Sequence, residues 1–216
     1  MQLSKTLALG LKDILSIEVM SFVLKVGLGS IALWIGVFYF YWHEILAIIA
    51  SYLGFLPWEW LKTTGSAMAT FIVAYVLIIT TISVLTSLYS EDLLKKLALK
   101  HYGVEARGNP SIVDSIWINV RVNAIFLALF LLFFWLIFVP ILGQIFMLYL
   151  WSIQIKEPTV HDVGGLFIHD KEVLKQKAKK ARVLAIVPSA FNYIPLLNIF
   201  APLYLQILFL HHILHD

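Results

Sequence analysis

Two apolar stretches in the second half of the chain are each interrupted by an aliphatic-proline step, and they read almost alike. One is Val139-Pro140-Ile141-Leu142-Gly143-Gln144-Ile145-Phe146 and the other Ile194-Pro195-Leu196-Leu197-Asn198-Ile199-Phe200. Together they form a degenerate internal repeat. The apolar arms around the first break hold about 16 and 11 residues and those around the second about 12 and 12, against the roughly 20 that a spanning helix requires. The pattern therefore predicts two re-entrant, hemi-penetrating helical hairpins over residues 124–155 and 183–214, with Pro140, Gly143, Pro195 and Pro202 shaping the breaks. Interrupted backbone survives at membrane depth only where protein or a wet cavity satisfies its polar groups, so paired breaks point to a solute route.

The rest of the chain has the composition this demands. Of its 216 residues, 61% are apolar and 13% charged, whereas ordinary soluble domains are close to half apolar and about a quarter charged. The expectation is one all-helical integral membrane domain over residues 1–216, with no linker to a second. The first 17 residues mix Lys5, Lys12 and Asp13 with Leu7, Leu9, Leu11, Ile14 and Leu15, which predicts an interfacial helix. Full spans are predicted over residues 19–41, ending in the aromatic cluster from Phe38 to Trp42, and over residues 66–88. Ile45 to Leu56 is apolar but short, and with Pro57 and Trp58 behind it should extend the first helix or turn along the interface.

No breaker separates the second span from Glu91-Asp92-Leu93-Leu94-Lys95-Lys96, so one helix is expected to run on to a C-cap at Gly103, with Glu91 facing Lys95. Lys156-Glu157-Pro158 should end the first hairpin. The run from His169 to Arg182, with Leu174, Ala178 and Ala181 among lysines, reads as a basic surface helix.

Charge sets the orientation. Lys95, Lys96, Lys100, Arg107 and Arg121 lie in one loop region and seven Lys and Arg between Lys156 and Arg182, while Trp42 to Thr63 carries only Lys62. Both basic regions are expected on the cytoplasmic side, facing anionic lipid rather than nucleic acid.

The layout resembles the CysZ family of bacterial sulfate permeases and its eukaryotic relative, the etoposide-induced membrane protein. The residues that carry the likeness are Ile194-Pro195-Leu196-Leu197-Asn198 with Ala201-Pro202, the matching Val139-Pro140 turn, and the stretch from Gln154 to Glu157-Pro158. The resemblance implies a homo-oligomer in the bacterial inner membrane that passes sulfate for sulfur assimilation without a cofactor. It also implies a Gly-x-Arg-Arg anion element near residues 17–22. Here that stretch reads Glu18-Val19-Met20-Ser21, with a carboxylate for the glycine and neither guanidinium, and Gly143-Gln144 replaces the family's Asn at the first tip.

The candidate pathway residues are therefore other donors. Lys25 lies inside the first span, a few residues from its start, where it either snorkels to the interface or faces the route. Asn119, Arg121 and Asn123 stand at the mouth of the first hairpin and offer donors to an anion or to headgroups. Gln144 and Asn198 occupy the tips, placed to cap broken helix ends or touch solute.

His161-Asp162, His169-Asp170 and the group His211, His212 and His215 lack the spacing of a metal hydrolase, so solvated or interfacial histidines and no metal site are expected. Gly164-Gly165 lacks a phosphate-loop context, no nucleophile elbow is present and no cysteine exists, which argues against an enzyme. The alternative to transport is a membrane scaffold whose hairpins dock partners.

Overall fold

The computed structural model describes residues 3–52, 59–133, 135–136, 139–194 and 196–215. The expectations for Pro57, Trp58 and Pro195 fall outside these residues. Among the described residues the fold is all helical: α1 (Leu3–Ile14), α2 (Ile17–Tyr52), α3 (Glu59–Tyr89), α4 (Glu91–Tyr102), α5 (Ile112–Phe133), α6 (Leu142–Phe167), α7 (Lys171–Ala190) and α8 (Ala201–Leu214). Two short 3₁₀ turns, Phe191–Tyr193 and Leu197–Phe200, join α7 to α8. Within α2, α3, α5 and the end of the chain lie four helical segments long and apolar enough to cross a membrane.

Contacts divide the chain into two compact units. The first comprises residues 1–23 and 84–216, and the second Leu24–Ser83. The second holds most of α2 and α3, joined internally by the Trp34 indole N–H donating to Thr81 Oγ1 at 2.9 Å and by Trp42 against Phe71. Of the two paths expected after the aromatic belt, the first helix takes extension. It runs to Tyr52, with a kink at Tyr41 (φ −117°, ψ 21°).

The first unit is built around α8. Leu203, Tyr204, Leu205, Ile207, Leu208, Phe209 and Leu210 are all buried, because a helix that is apolar on every face finds a stable place only inside a shell of other helices. Of the apolar window containing α8, 72% is buried, against 11% for α5. The C-terminal candidate span is thus a protein core, whereas α5 leaves its apolar surface outward. α1 packs directly on α8. A Cβ at Gly10 would lie 2.5 Å from Leu208 Cδ2, so glycine permits this approach. α7 presents Leu184, Ala181 and Ala185 to the same core, and Lys177 Nζ donates to the Ile213 carbonyl at 3.1 Å, at the negative end of α8. The basic helix is therefore seated on α8 by its apolar stripe.

Three boundary expectations change. The long helix after the second span is divided at Ser90, although backbone bonds from Ser90 N–H to Thr86 and from Leu94 N–H to Ser90 keep the two pieces nearly continuous. Gly103 caps α4 in the left-handed conformation (φ 63°), and Lys95 pairs with Glu91, as the spacing indicates. Pro158 does not end α6, which continues to Phe167. Proline removes one helical hydrogen bond, but Thr159, Val163, Gly164 and Leu166 beyond it are buried, and that packing outweighs the loss. The third change concerns the hairpin arms. They contain 22 and 26 residues around the first break and 20 and 14 around the second, each longer than the apolar run within it. At the first break arm length therefore does not argue for re-entry, and α5 is both long and apolar enough to cross.

The internal repeat has a backbone counterpart. Ile141 (φ 68°) and Leu196 (φ 72°) are the positive-φ non-glycine residues among those described, and each directly follows its proline. At the first break Leu142 N–H donates to the Pro140 carbonyl at 2.8 Å, closing a tight γ-turn around Ile141.

Candidate functional site: a polar seam between α5 and α6

In α5, Ser115, Asn119 and Asn123 recur every four residues and so share one face. That face meets α6. The Asn119 side-chain amide donates to the Ser115 carbonyl at 2.9 Å and that of Asn123 to the Asn119 carbonyl at 2.8 Å. Across the interface Gln154 Nε2 donates to Asn123 Oδ1 at 2.7 Å. On α6 the seam continues through Pro158 to Asp162, about 12 Å along the helix from Gln154. Pro158 has no N–H to give the Gln154 carbonyl, so the sequence itself withholds a helical partner from one more polar atom on this face.

Asp162 closes one end. Ser115 donates to its Oδ1 at 2.7 Å, Ser87 to Oδ2, and His161 Nδ1 lies 3.2 Å from Oδ1. The Ser87 and Ser115 hydroxyls are 3.3 Å apart. Asp162 is only 7% exposed, while His161 beside it stays part-exposed; two serines brought from α3 and α5 supply the hydrogen bonds that let a carboxylate stay buried. The seam thus offers amide and hydroxyl donors and acceptors along most of its length and one acidic group at its end.

The candidate residues separate accordingly. Asn119 and Asn123 lie in the seam. Arg121, two positions from each, is exposed on another face, and Lys25 is exposed on α2. Asn198 is buried at the second tip. The Gln144 side chain is exposed at the first tip, but its backbone carbonyl accepts the Tyr193 hydroxyl at 2.5 Å, and Trp151 packs edge-on to the Tyr193 ring at 4.9 Å. The two breaks therefore meet. Pro202 lies in the first turn of α8, where its missing N–H is harmless. Gly143 is buried beside the first break. The stripe of Ser115, Asn119 and Asn123 is readable from four-residue spacing, whereas nothing local marks Ser87 or Asp162 as its partners.

His211 also departs from expectation. It is fully buried and bonded to Asp13, with His101 on the same carboxylate. Sequence spacing does not reveal this, since the three residues come from α1, α4 and α8.

Apolar helices of spanning length, one of them facing outward with a polar stripe on its inner side, define a helical integral membrane protein. Residues 6–202 match the family described as "Sulfate transporter CysZ/Etoposide-induced protein 2.4", and the chain belongs to that family. No curated protein and no solved structure gives a match.

Proposed function

We propose that this protein conducts a small inorganic anion, sulfate first among them, across the bacterial inner membrane as a homo-oligomer, and that the seam between α5 and α6 forms part of the route. The observation that carries the reading is the seam itself. Asn119, Asn123 and Gln154 bring side-chain amides into the interface of an apolar helix pair, where uncharged donors and acceptors can replace water around a passing ion. Family membership supports sulfate as the substrate to test. The hairpin tips are proposed to be re-entrant, with the basic loops on the cytoplasmic side against anionic lipid.

The deciding experiment is uptake of labelled sulfate into proteoliposomes by the unmodified chain and by Asn123→Leu and Gln154→Leu, with protein-free vesicles as reference. The unmodified chain is expected to raise uptake well above the vesicles, and both variants to reduce it at normal reconstitution yield. The scaffold reading draws on one observation, that the seam's amides bond one another. No uptake by any form, with the variants losing only stability, would leave the seam a structural lock and favour the scaffold.

A further inference from the structure

Asp13 on α1, His101 on α4 and His211 on α8 are distant in sequence and converge on one point. His211 Nε2 lies 2.9 Å from Asp13 Oδ2, and His101 Nε2 lies 2.9 Å from Oδ1. One ligand atom from each of the three lies within 4.8 Å of the others. The side chains of Asp13 and His211 are 4% and 0% exposed, and that of His101 is 22% exposed, at the edge of the cluster. Behind His211, the Tyr102 hydroxyl lies 2.8 Å from Nδ1.

We propose that these three side chains bind a first-row divalent metal ion, of which zinc is the best match, and that the ion clamps α1 and α4 onto α8. Two ligand atoms on bonds of about 2.1 Å stand roughly 3.4 Å apart in a tetrahedron, a spacing that small rotations of these side chains provide. Two imidazoles and one carboxylate make a borderline donor set that suits zinc, cobalt or nickel and not the all-oxygen preference of magnesium or calcium.

The proton inventory also fits. A metal-bound imidazole presents its Nε2 lone pair and carries its hydrogen on Nδ1, and on His211 that N–H finds the Tyr102 oxygen as acceptor, the outer partner that ligating histidines characteristically have. A cleft lined by Leu9, His101, Tyr102, Leu214 and His215 opens beside His101 at the edge of the cluster, giving an ion a way in from outside.

The test uses the full chain in detergent, purified without a polyhistidine tag, stripped with chelator, loaded with zinc and then dialysed. One retained zinc per chain is expected, with a rise in melting temperature on loading. His101→Ala, chosen because His101 sits at the cluster's edge, should lose the retained ion and the melting shift, while His169→Ala should keep both. Tyr102→Phe should retain zinc about 10-fold more weakly. Cobalt loaded into the unmodified chain should give the strong visible absorption of a four- or five-coordinate site, a readout that needs no variant. Absence of retained zinc and of that absorption, or retention undiminished in His101→Ala, would overturn the proposal.

Discussion

The Tyr193 hydroxyl, in the turn between α7 and α8, donates to the backbone carbonyl of Gln144 in the first turn of α6. One hydrogen bond thus ties the second break of the internal repeat to the first, reinforced by the Trp151 ring against Tyr193. Tyr193→Phe keeps the ring contact and removes the bond, so it should lower stability in detergent by about 1 kcal/mol. Tyr193→Ala should cost about 0.5–1.5 kcal/mol more, from the lost aromatic pair. Thermal unfolding of the two variants separates the contributions, and equal losses would show that the ring contact contributes nothing.

Ile141 and Leu196 are both held at positive φ, and the residues are 73% and 75% exposed, so little packing opposes a change at either position. Ile141→Gly and Leu196→Gly should each stabilise the protein. The gain should approach 1 kcal/mol, the lower part of the roughly 1–3 kcal/mol stored in such backbone, because glycine also gains freedom in the unfolded chain. The larger effect is expected at Ile141, whose branched Cβ fits the left-handed region least. Denaturation midpoints that fall in both variants would contradict this.

Much of the architecture follows from residues that act locally. The paired proline steps mark both breaks, the apolar runs mark α2, α3 and α5, and Gly103 marks the end of α4, because each sets its own backbone. The continuation of α6 through Pro158 is decided by the packing of residues beyond it, which local propensity does not contain. The seam was half legible for the same reason. Asn119 and Asn123 announce themselves by four-residue spacing, but Asp162 takes its partners Ser115 and Ser87 from 47 and 75 positions away, and Asp13 and His211 are 198 positions apart.

Gly108 is fixed by close approach. The N–H groups of Arg107 and Gly108 both donate to the Leu166 carbonyl, and a Cβ at Gly108 would stand 1.8 Å from the Gly165 carbonyl oxygen. Gly108→Ala must push two backbones apart and should destabilise by more than about 2 kcal/mol. Gly29→Ala meets nothing within 4 Å in the middle of α2 and should be neutral or stabilising by up to about 1 kcal/mol. Detergent melting curves for the pair check the contrast; similar behaviour would show that the Gly108 approach is not a close one.

The orientation of the hairpins can be read with single cysteines, since the chain has none of its own. Glu105 is exposed in the loop after α4, and Ile141 is exposed at the first tip. With impermeant maleimide on oriented vesicles, Glu105→Cys should react only from the cytoplasmic face. Ile141→Cys should be shielded from both faces if the tip stops inside the bilayer. Rapid reaction of Ile141→Cys from the periplasmic face would make α5 and α6 full spans and end the re-entrant reading.

Asp162 allows the seam's structural and conducting roles to be separated. Asp162→Leu removes the acceptor of the Ser87 and Ser115 hydroxyls and should cost several kcal/mol, since each buried hydroxyl left unpaired costs about 1–3 kcal/mol. Asp162→Asn keeps the shape and one acceptor oxygen, and the serine hydroxyls can turn to accept from its amide, so folded yield should stay near normal. What it removes is the negative charge at the end of the seam. A carboxylate and an anionic charge about 4 Å apart repel by roughly 4 kcal/mol at the effective dielectric of a protein surface. If sulfate passes along this seam, uptake into proteoliposomes should therefore rise several-fold in Asp162→Asn, and the increase should shrink as ionic strength rises. Unchanged uptake at normal yield would place the anion's path away from α5 and α6.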